Sequence, residues 1–272
     1  MELTLLRVAV AAYLAATVAA LVGITRRREL PGTLMRRFLL GGLLAHAASL
    51  AAGSAYSPLP AVTTLDEALS FLAALLVAMF LLAQLRWPLL ALGAVVSPLA
   101  LGLTLAADVL HQGVRPLPPI LQSGWFPVHV ALSFLGDAVF ALAFSASLLY
   151  LLQERRLKAR RRGMIPRLPS LETLDRLNYT CLIWGLVLLT LGIASGIVWA
   201  HTAWRDEWSW SDPKLAFSVL TWVIYAVLLL GRMAVGWRGR RAATLTIAGF
   251  AVIVISLVGV NVFALGSHGK AF

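Results

Sequence analysis

The chain has few charged residues, and acidic ones are the scarcest. Only 13% of its 272 residues are charged, with 12 Asp and Glu against 23 Lys and Arg. A soluble domain keeps roughly a quarter of its residues charged, so this chain has too little polar surface for water. With 60% hydrophobic residues and a mean hydropathy of +0.85, the composition predicts an all-α polytopic membrane protein embedded in a lipid bilayer.

The chain has a single cysteine, Cys181, which lies inside an apolar run. A single cysteine excludes an internal disulfide and any CxxC redox motif. We expect no cleaved signal peptide, since the first basic cluster, 26–28, follows the N-terminal apolar stretch instead of preceding it. The net charge of +11 does not indicate a nucleic-acid partner, because the basic residues lie mostly in short loops between apolar runs.

Eight apolar runs are long enough to cross about 30 Å of hydrocarbon as helices. The single integral-membrane domain, 1–272, is therefore predicted to contain spans at about 3–24, 37–55, 66–85, 88–107, 128–152, 174–200, 215–234 and 242–265.

The basic residues alternate from loop to loop, which fixes the orientation. Most of the Lys and Arg residues fall in the segments 25–37, 84–88, 153–176 and 232–241. Excess Lys and Arg stays on the cytoplasmic side, so both termini should face the outer, periplasmic or extracytoplasmic side. The acids that follow Thr63 and Thr64 in TTLDE predict a capped start for the third span.

The outer loop 201–214 differs from the apolar chain around it. Its stretch WRDEWSWSDPK crowds Trp204, Trp208 and Trp210 among charged residues. An aromatic belt is common at a membrane interface, but flat rings mixed with charges are also typical of a site for a flat amphipathic ligand. Composition alone leaves both interpretations open.

Four of the five histidines fall at predicted outer ends of spans: His111, His129, His201 and His268. Imidazole is the commonest side-chain metal ligand, and haem iron takes axial histidine from facing helices. Two histidines at the tops of different spans therefore suit one haem, with tryptophans against the porphyrin. Arg205, Lys214 or backbone amides would then meet the propionates.

His46, unlike the other four histidines, is predicted to lie deep inside the membrane. It lies about nine residues from the inner end of the second span, roughly 13 Å into the membrane at 1.5 Å per residue. An ionisable group at that depth is a candidate functional group. The alternative is a structural histidine that is hydrogen-bonded to Ser49 or to a neighbouring span. Asp137 and Asn261 are expected to make polar contacts between helices.

The run from GIVWAHTAW through WSWSDPKLAFSVLTW to GVNVFALGSHG resembles the CcsA family of cytochrome c assembly proteins, and within it the HemX/YpjD-like branch. The resemblance extends upstream to LQSGWFPVHVALSFLGDAVF and, more faintly, to the second and third spans. These haem-handling proteins share a tryptophan-rich outer WWD segment, which here has a histidine on each side.

The resemblance implies a b-type, non-covalently bound haem and a set of residues that hold it. His129 and His268 would be its axial iron ligands, and His46 would hold haem inside the membrane. Leu230 stands where family members carry a second membrane histidine. The implied outer platform comprises Trp204, Trp208, Trp210 and Asp212, beside His201, with Ser211 as an extra residue in the motif.

By this resemblance we expect a haem-handling protein of c-type cytochrome biogenesis in a bacterial inner membrane. It would present haem at the outer face to apocytochrome c, together with a synthase partner subunit of the CcsB/ResB type. No residue resembles a dedicated acid, base or nucleophile, so the chain is at most a subunit of a haem-ligation system. The alternative is a HemX-like membrane regulator of haem biosynthesis that acts through a partner enzyme. Transport of another amphipathic anion has less support, because no pair of broken spans recurs in two halves.

Overall fold

A computed structural model of the chain describes residues 1–25, 30–53, 62–87, 90–111, 113, 123–159, 168–203 and 212–262. Within these ranges eight α-helices follow one another, and a 3-10 turn at Leu90–Leu92 precedes the fourth. The helices are α1 (Glu2–Thr25), α2 (Leu30–Gly53), α3 (Leu65–Arg86), α4 (Gly93–Leu110), α5 (Trp125–Lys158), α6 (Leu171–Ala203), α7 (Pro213–Ala234) and α8 (Arg240–Val262).

Seven of the described helices, all but α2, are long and apolar enough to cross a membrane. This confirms the prediction of an all-α polytopic membrane protein. The helix α2 corresponds to the predicted span 37–55, but it falls outside those seven. Arg36, Arg37 and His46 lie within it, and they lower its mean hydropathy.

Several helices extend past the predicted spans. Helix α5 continues to Lys158, six residues beyond the predicted end at 152, and α6 begins at Leu171 instead of 174. The added turn of α5 carries Arg155 and Arg156. Hydropathy marks the edge of the hydrocarbon, whereas a helix continues wherever its backbone hydrogen bonds do. The start of α3 confirms the predicted cap: Thr64 and Glu67 form a capping box.

The helices alternate in direction, so four beginnings and four ends meet at the side predicted to face outward, which we call the outer end. Two side-chain contacts join helices there: the Arg7 Nε forms an ion pair with Asp108 Oδ1 at 3.2 Å, and His111 Nδ1 is hydrogen-bonded to Asp66 Oδ2 at 3.1 Å. Helices α1 to α4 pack as one group and α5 to α8 as another, and α3 packs against α5 to connect them.

The outside of the bundle is apolar. Leu14, Leu44, Leu191 and Val227 are 49% to 65% exposed, which suits hydrocarbon and not water. Inside the bundle, glycines allow the helices to approach closely. A Cβ on Gly185 would lie 2.5 Å from the ring of Phe140, so α5 and α6 can pack here because that position has no side chain.

A polar network connects the inner ends of α5, α6, α7 and α8. Arg232 donates to Asp175 Oδ2 at 2.7 Å and to Asn178 Oδ1 at 3.2 Å. The Asn178 amide in turn donates to Thr246 Oγ1 at 3.0 Å and to Ser147 Oγ at 2.9 Å. The side chain of Arg232 is only 5% exposed, so its charge depends on these partners.

Arg232→Met should therefore destabilise the protein by about 3 kcal/mol, because it leaves Asp175 without its counter-charge. Lys158→Met is the matched control, since Lys158 pairs with Glu154 at the same end but is 66% exposed. It should cost about 0.5 kcal/mol or less. Unfolding in detergent micelles measures both, and equal losses for the two variants would contradict the role of the network.

Candidate functional site

A large cavity lies in the outer half of the α5–α8 group. Its empty volume is about 1250 Å³, including the space at its mouth. Helices α5, α6, α7 and α8 line it, and residues 62–64 before α3 close one side. Concave sites with a mostly apolar lining and a few polar side chains are typical of sites for organic ligands.

His129 lines this cavity from the first turns of α5. Its Nδ1 lies 2.8 Å from the backbone oxygen of Gly192 on α6. A carbonyl oxygen only accepts, so Nδ1 carries the proton and donates it, and the lone pair of the neutral ring is on Nε2. Metal-binding histidines are oriented in this way by a hydrogen bond from the other ring nitrogen.

Two aromatic side chains fix the position of the His129 ring. The indole of Trp199 on α6 stacks on it with ring centroids 5.9 Å apart and planes 18° apart. Phe126 packs against Trp199 at 5.2 Å. On the next turn of α6, a Cβ on Gly196 would lie 2.7 Å from His129 Cε1 and Nδ1. The ring therefore occupies space that only a glycine at 196 leaves open.

Neither Trp199 nor Phe126 was identified from the sequence. Tryptophan near a membrane interface is ordinarily interpreted as part of the aromatic belt, and Trp199 is instead buried. The available signal is its spacing: Trp199 follows Gly196 by three residues, which places both on one face of a helix.

The start of α7 brings charge to the cavity. Asp212 is buried and caps α7, since its Oδ1 accepts from the backbone nitrogen of Lys214 at 2.9 Å. Lys214 itself lines the cavity, and so does Asp137 of α5. Asp137 was expected to make a helix–helix contact, but it lines open space instead.

His46 lies elsewhere, in the α1–α4 group. It is fully buried, and its Nε2 lies 2.8 Å from Ser70 Oγ on α3 while its Nδ1 lies 3.3 Å from the Tyr13 hydroxyl on α1. The hydrogen-bond partners of His46 thus lie on neighbouring spans. Ser49 is not one of them, because its hydroxyl donates to the backbone oxygen of Glu2. Leu230, where a second membrane histidine would stand, is 64% exposed on the outside of the bundle.

Of the remaining predicted site residues, only His201 lies within the part of the chain that the structure describes. His201 is exposed at the outer end of α6. Trp204, Trp208, Trp210 and His268 lie outside the described residues. Residues 204–211, which connect α6 to α7, lie outside the described ranges. Both of these helices line the cavity.

Comparison with known proteins identifies a family. The family model for cytochrome C assembly protein matches residues 62–268. A cytochrome c biogenesis protein CcsA of Parasynechococcus marenigrum (strain WH8102) is 33% identical over 233 residues, which cover 76% of each chain. Another, from Guillardia theta, is 34% identical over 235 residues, with 79% of this chain and 77% of that one covered.

A solved structure, named cytochrome c heme lyase CcmF, has a similar fold. It superposes with a TM-score of 0.67 at 18% identity and covers 99% of this chain. The match covers 50% of the CcmF chain, so this chain spans about half of its length. The family match begins at residue 62, just before α3, and ends at residue 268, beyond α8. The chain belongs to the cytochrome c assembly protein family.

Proposed function

We propose that this protein binds haem at its outer face during the maturation of c-type cytochromes and presents it to a partner. Membership of the cytochrome c assembly family supports the role in maturation. The observation that carries the haem proposal is His129, an oriented imidazole in the wall of a large cavity. Haem is here the cargo of the protein, held non-covalently as b-type haem.

The residues of the cavity fit such a cargo. A porphyrin is flat and apolar with two carboxylates on one edge. Trp199 and Phe126 provide flat apolar surface beside the histidine, and Lys214 provides a cation. With Nδ1 donating to Gly192, the lone pair on His129 Nε2 is the one suited to haem iron. The mainly apolar lining would also keep water away from the bound ligand.

The second axial ligand in this proposal is His268. It follows α8, whose residues Ile253, Ser256 and Leu257 line the cavity, so the segment that carries His268 begins at the same end of the bundle. The outer platform would combine residues that the sequence assigns to the loop 201–214: Trp204, Trp208, Trp210 and Asp212, with His201 beside them.

His46 is proposed as a second haem ligand, inside the membrane. Both of its ring nitrogens lie at hydrogen-bonding distance from a hydroxyl group, one from Ser70 and one from Tyr13. Iron binding at His46 therefore requires the ring to give up one of these contacts. In this proposal the outer site is already oriented, whereas the membrane site must rearrange.

We further propose that the chain acts in a bacterial inner membrane as one subunit of a haem-ligation system. Its partners would be a CcsB/ResB-type subunit and apocytochrome c. The residues at the cavity can hold and orient a porphyrin, and the apocytochrome would supply the thiols that attach to it. The chain's part is binding, orientation and exclusion of water.

His129→Ala should abolish the low-spin spectrum of the haem-loaded protein and weaken haem binding by about 100-fold, because it removes an iron ligand. Added imidazole should restore the spectrum by occupying the vacated position. His111→Ala is the matched control: His111 is also at the outer end, but its ring contacts Asp66. Optical spectra of the purified protein, oxidised and reduced, measure these effects.

An unchanged spectrum in His129→Ala would contradict the outer site. Failure of the wild type to bind haem, even after reconstitution, would overturn the proposal as a whole. In that case a HemX-like regulator of haem biosynthesis, acting through a partner enzyme, would become the better account.

Gly196→Ala should lower haem affinity by about tenfold without unfolding the protein, because its Cβ would push the His129 ring away from Gly192. Gly102→Ala is the control, since a Cβ at that position meets no atom within 4 Å. Absorbance titration with haem compares the two variants. Equal affinities would mean that the precise position of the ring is unimportant.

A further inference from the structure

The interface between α6 and α7 is the least extensive of the four interfaces that connect α5, α6, α7 and α8 around the cavity. Helix α5 packs against both α6 and α8, and α7 packs against α8, each time over a larger contact than that of α6 with α7. Leu189 and Ile193 of α6 and Ser218 and Thr221 of α7 line the cavity on the two sides of this interface. The contact between α6 and α7 therefore separates a ligand in the cavity from the lipid.

A hydrogen bond crosses this interface beside the cavity. The indole Nε1 of Trp222 on α7 donates to Thr190 Oγ1 on α6 at 2.9 Å, and the Thr190 hydroxyl donates in turn to the backbone oxygen of Leu186 at 2.7 Å. Thr190 follows the cavity residue Leu189, and Trp222 follows the cavity residue Thr221. Both bonded side chains are exposed on the outside of the bundle. The bond thus joins the two helices on the lipid side of the cavity wall.

The position of Trp222 is unusual for a tryptophan in a membrane protein. It is the tenth of the 22 residues of α7, so it lies near the middle of the span. Tryptophan is ordinarily enriched at the two membrane–water interfaces. Trp222 is instead 37% exposed beside Val219 and Val223, in hydrocarbon that offers its N–H no partner. An aromatic belt therefore does not account for Trp222, and its hydrogen bond to Thr190 needs another explanation.

Helices α6 and α7 are joined more firmly at their inner ends. The buried Arg232 of α7 donates there to Asp175 Oδ2 of α6 at 2.7 Å, and separating a buried ion pair is costly. A hydrogen bond between membrane helices contributes little by comparison. Trp222 precedes Arg232 by ten residues, which is about 15 Å along α7. The outer parts of α6 and α7 can therefore separate, with their inner ends held together, once the bond between Trp222 and Thr190 breaks.

We propose that the α6–α7 interface is a lateral entrance through which a flat, amphipathic ligand passes from the lipid into the cavity, and that the hydrogen bond between Trp222 and Thr190 keeps it closed. This inference rests on the proposed function and assigns the route by which the haem cargo arrives. A planar and mainly apolar molecule accumulates in hydrocarbon, and it can pass edge-on between two helices. The entrance lies close to the proposed iron ligand. Thr190 is two residues, about 3 Å along α6, from Gly192, whose backbone oxygen accepts from His129 Nδ1.

The test follows the rate of haem loading into the full-length protein in lipid vesicles. Stopped-flow absorbance of the low-spin spectrum gives the loading rate, and capture by an excess of a soluble haem-binding protein gives the release rate. Thr190→Val and Trp222→Phe each remove the hydrogen bond with little change of shape. Each should raise both rates roughly three- to tenfold and leave the dissociation constant unchanged, because the entrance alters the barrier and not the bound state.

Two other exposed side chains of α6 provide matched controls. Thr180 donates to the backbone oxygen of Arg176 on its own helix, and Trp184 is 61% exposed. Thr180→Val and Trp184→Phe repeat the same chemical changes, so both rates should stay at the wild-type values. The double variant Thr190→Val/Trp222→Phe should be no faster than either single variant, because all three lack the same hydrogen bond.

A covalent cross-link should have the opposite effect. The background is Cys181→Ser, which removes the single native cysteine, and Thr190→Cys and Trp222→Cys are joined in it by a short bis-maleimide. The cross-link should slow haem loading by about tenfold or more, compared with the same protein before cross-linking, because α6 and α7 can no longer separate.

Rates equal to those of the wild type in both Thr190→Val and Trp222→Phe would overturn the inference. So would a cross-linked protein that loads as fast as before, because haem would then arrive by another route. If one single variant melts at a lower temperature than the wild type, the other variant and the cross-link decide. In each case a low-spin spectrum that depends on His129 at equilibrium would leave the proposed function standing. A wild type without that spectrum would overturn both proposals.

Discussion

A polar side chain inside hydrocarbon needs a partner, and this requirement organises the molecule. Arg232 is held by Asp175 and Asn178 at the inner ends of the second helix group. His46 lies between hydroxyl groups of α1 and α3. In both places the polar atoms connect neighbouring helices. The outer cavity differs, because charged and aromatic side chains there line open volume.

The two helix groups, α1 to α4 and α5 to α8, therefore differ in what they enclose. Helices α1 to α4 bury His46 among their side chains, and α5 to α8 enclose the cavity in their outer half. One turn inward of Asp137, the rings of Phe140 and Tyr225 stack with centroids 3.8 Å apart, and this stack fills the space between α5 and α7. A ligand held by His129 would thus lie between a packed interior and the outer surface, where a partner protein can reach it.

The sequence predicted the helices well and the site in part. Hydropathy located all eight helices, but helix α5 continues six residues beyond the predicted end of its span, because a helix does not have to end at the edge of the hydrocarbon. The cap at Thr64 was predicted correctly because helix-start rules act locally, and His129, predicted at the outer end of its span, lines the outer cavity. Trp199, and the cavity side of Asp137, could not be found in this way. The stacking of Trp199 on His129 and the position of Asp137 in the cavity wall depend on how neighbouring helices pack, and the three-residue spacing from Gly196 to Trp199 gives only the shared helix face.

The central claim is that His129 in the outer cavity is the point at which haem iron is held. The most direct measurement is a density map of the haem-loaded protein that resolves the iron. The account predicts iron bonded to His129 Nε2, with the porphyrin inside the outer cavity. Iron bound only beside His46, or a porphyrin in the cavity with its iron away from His129, would contradict it.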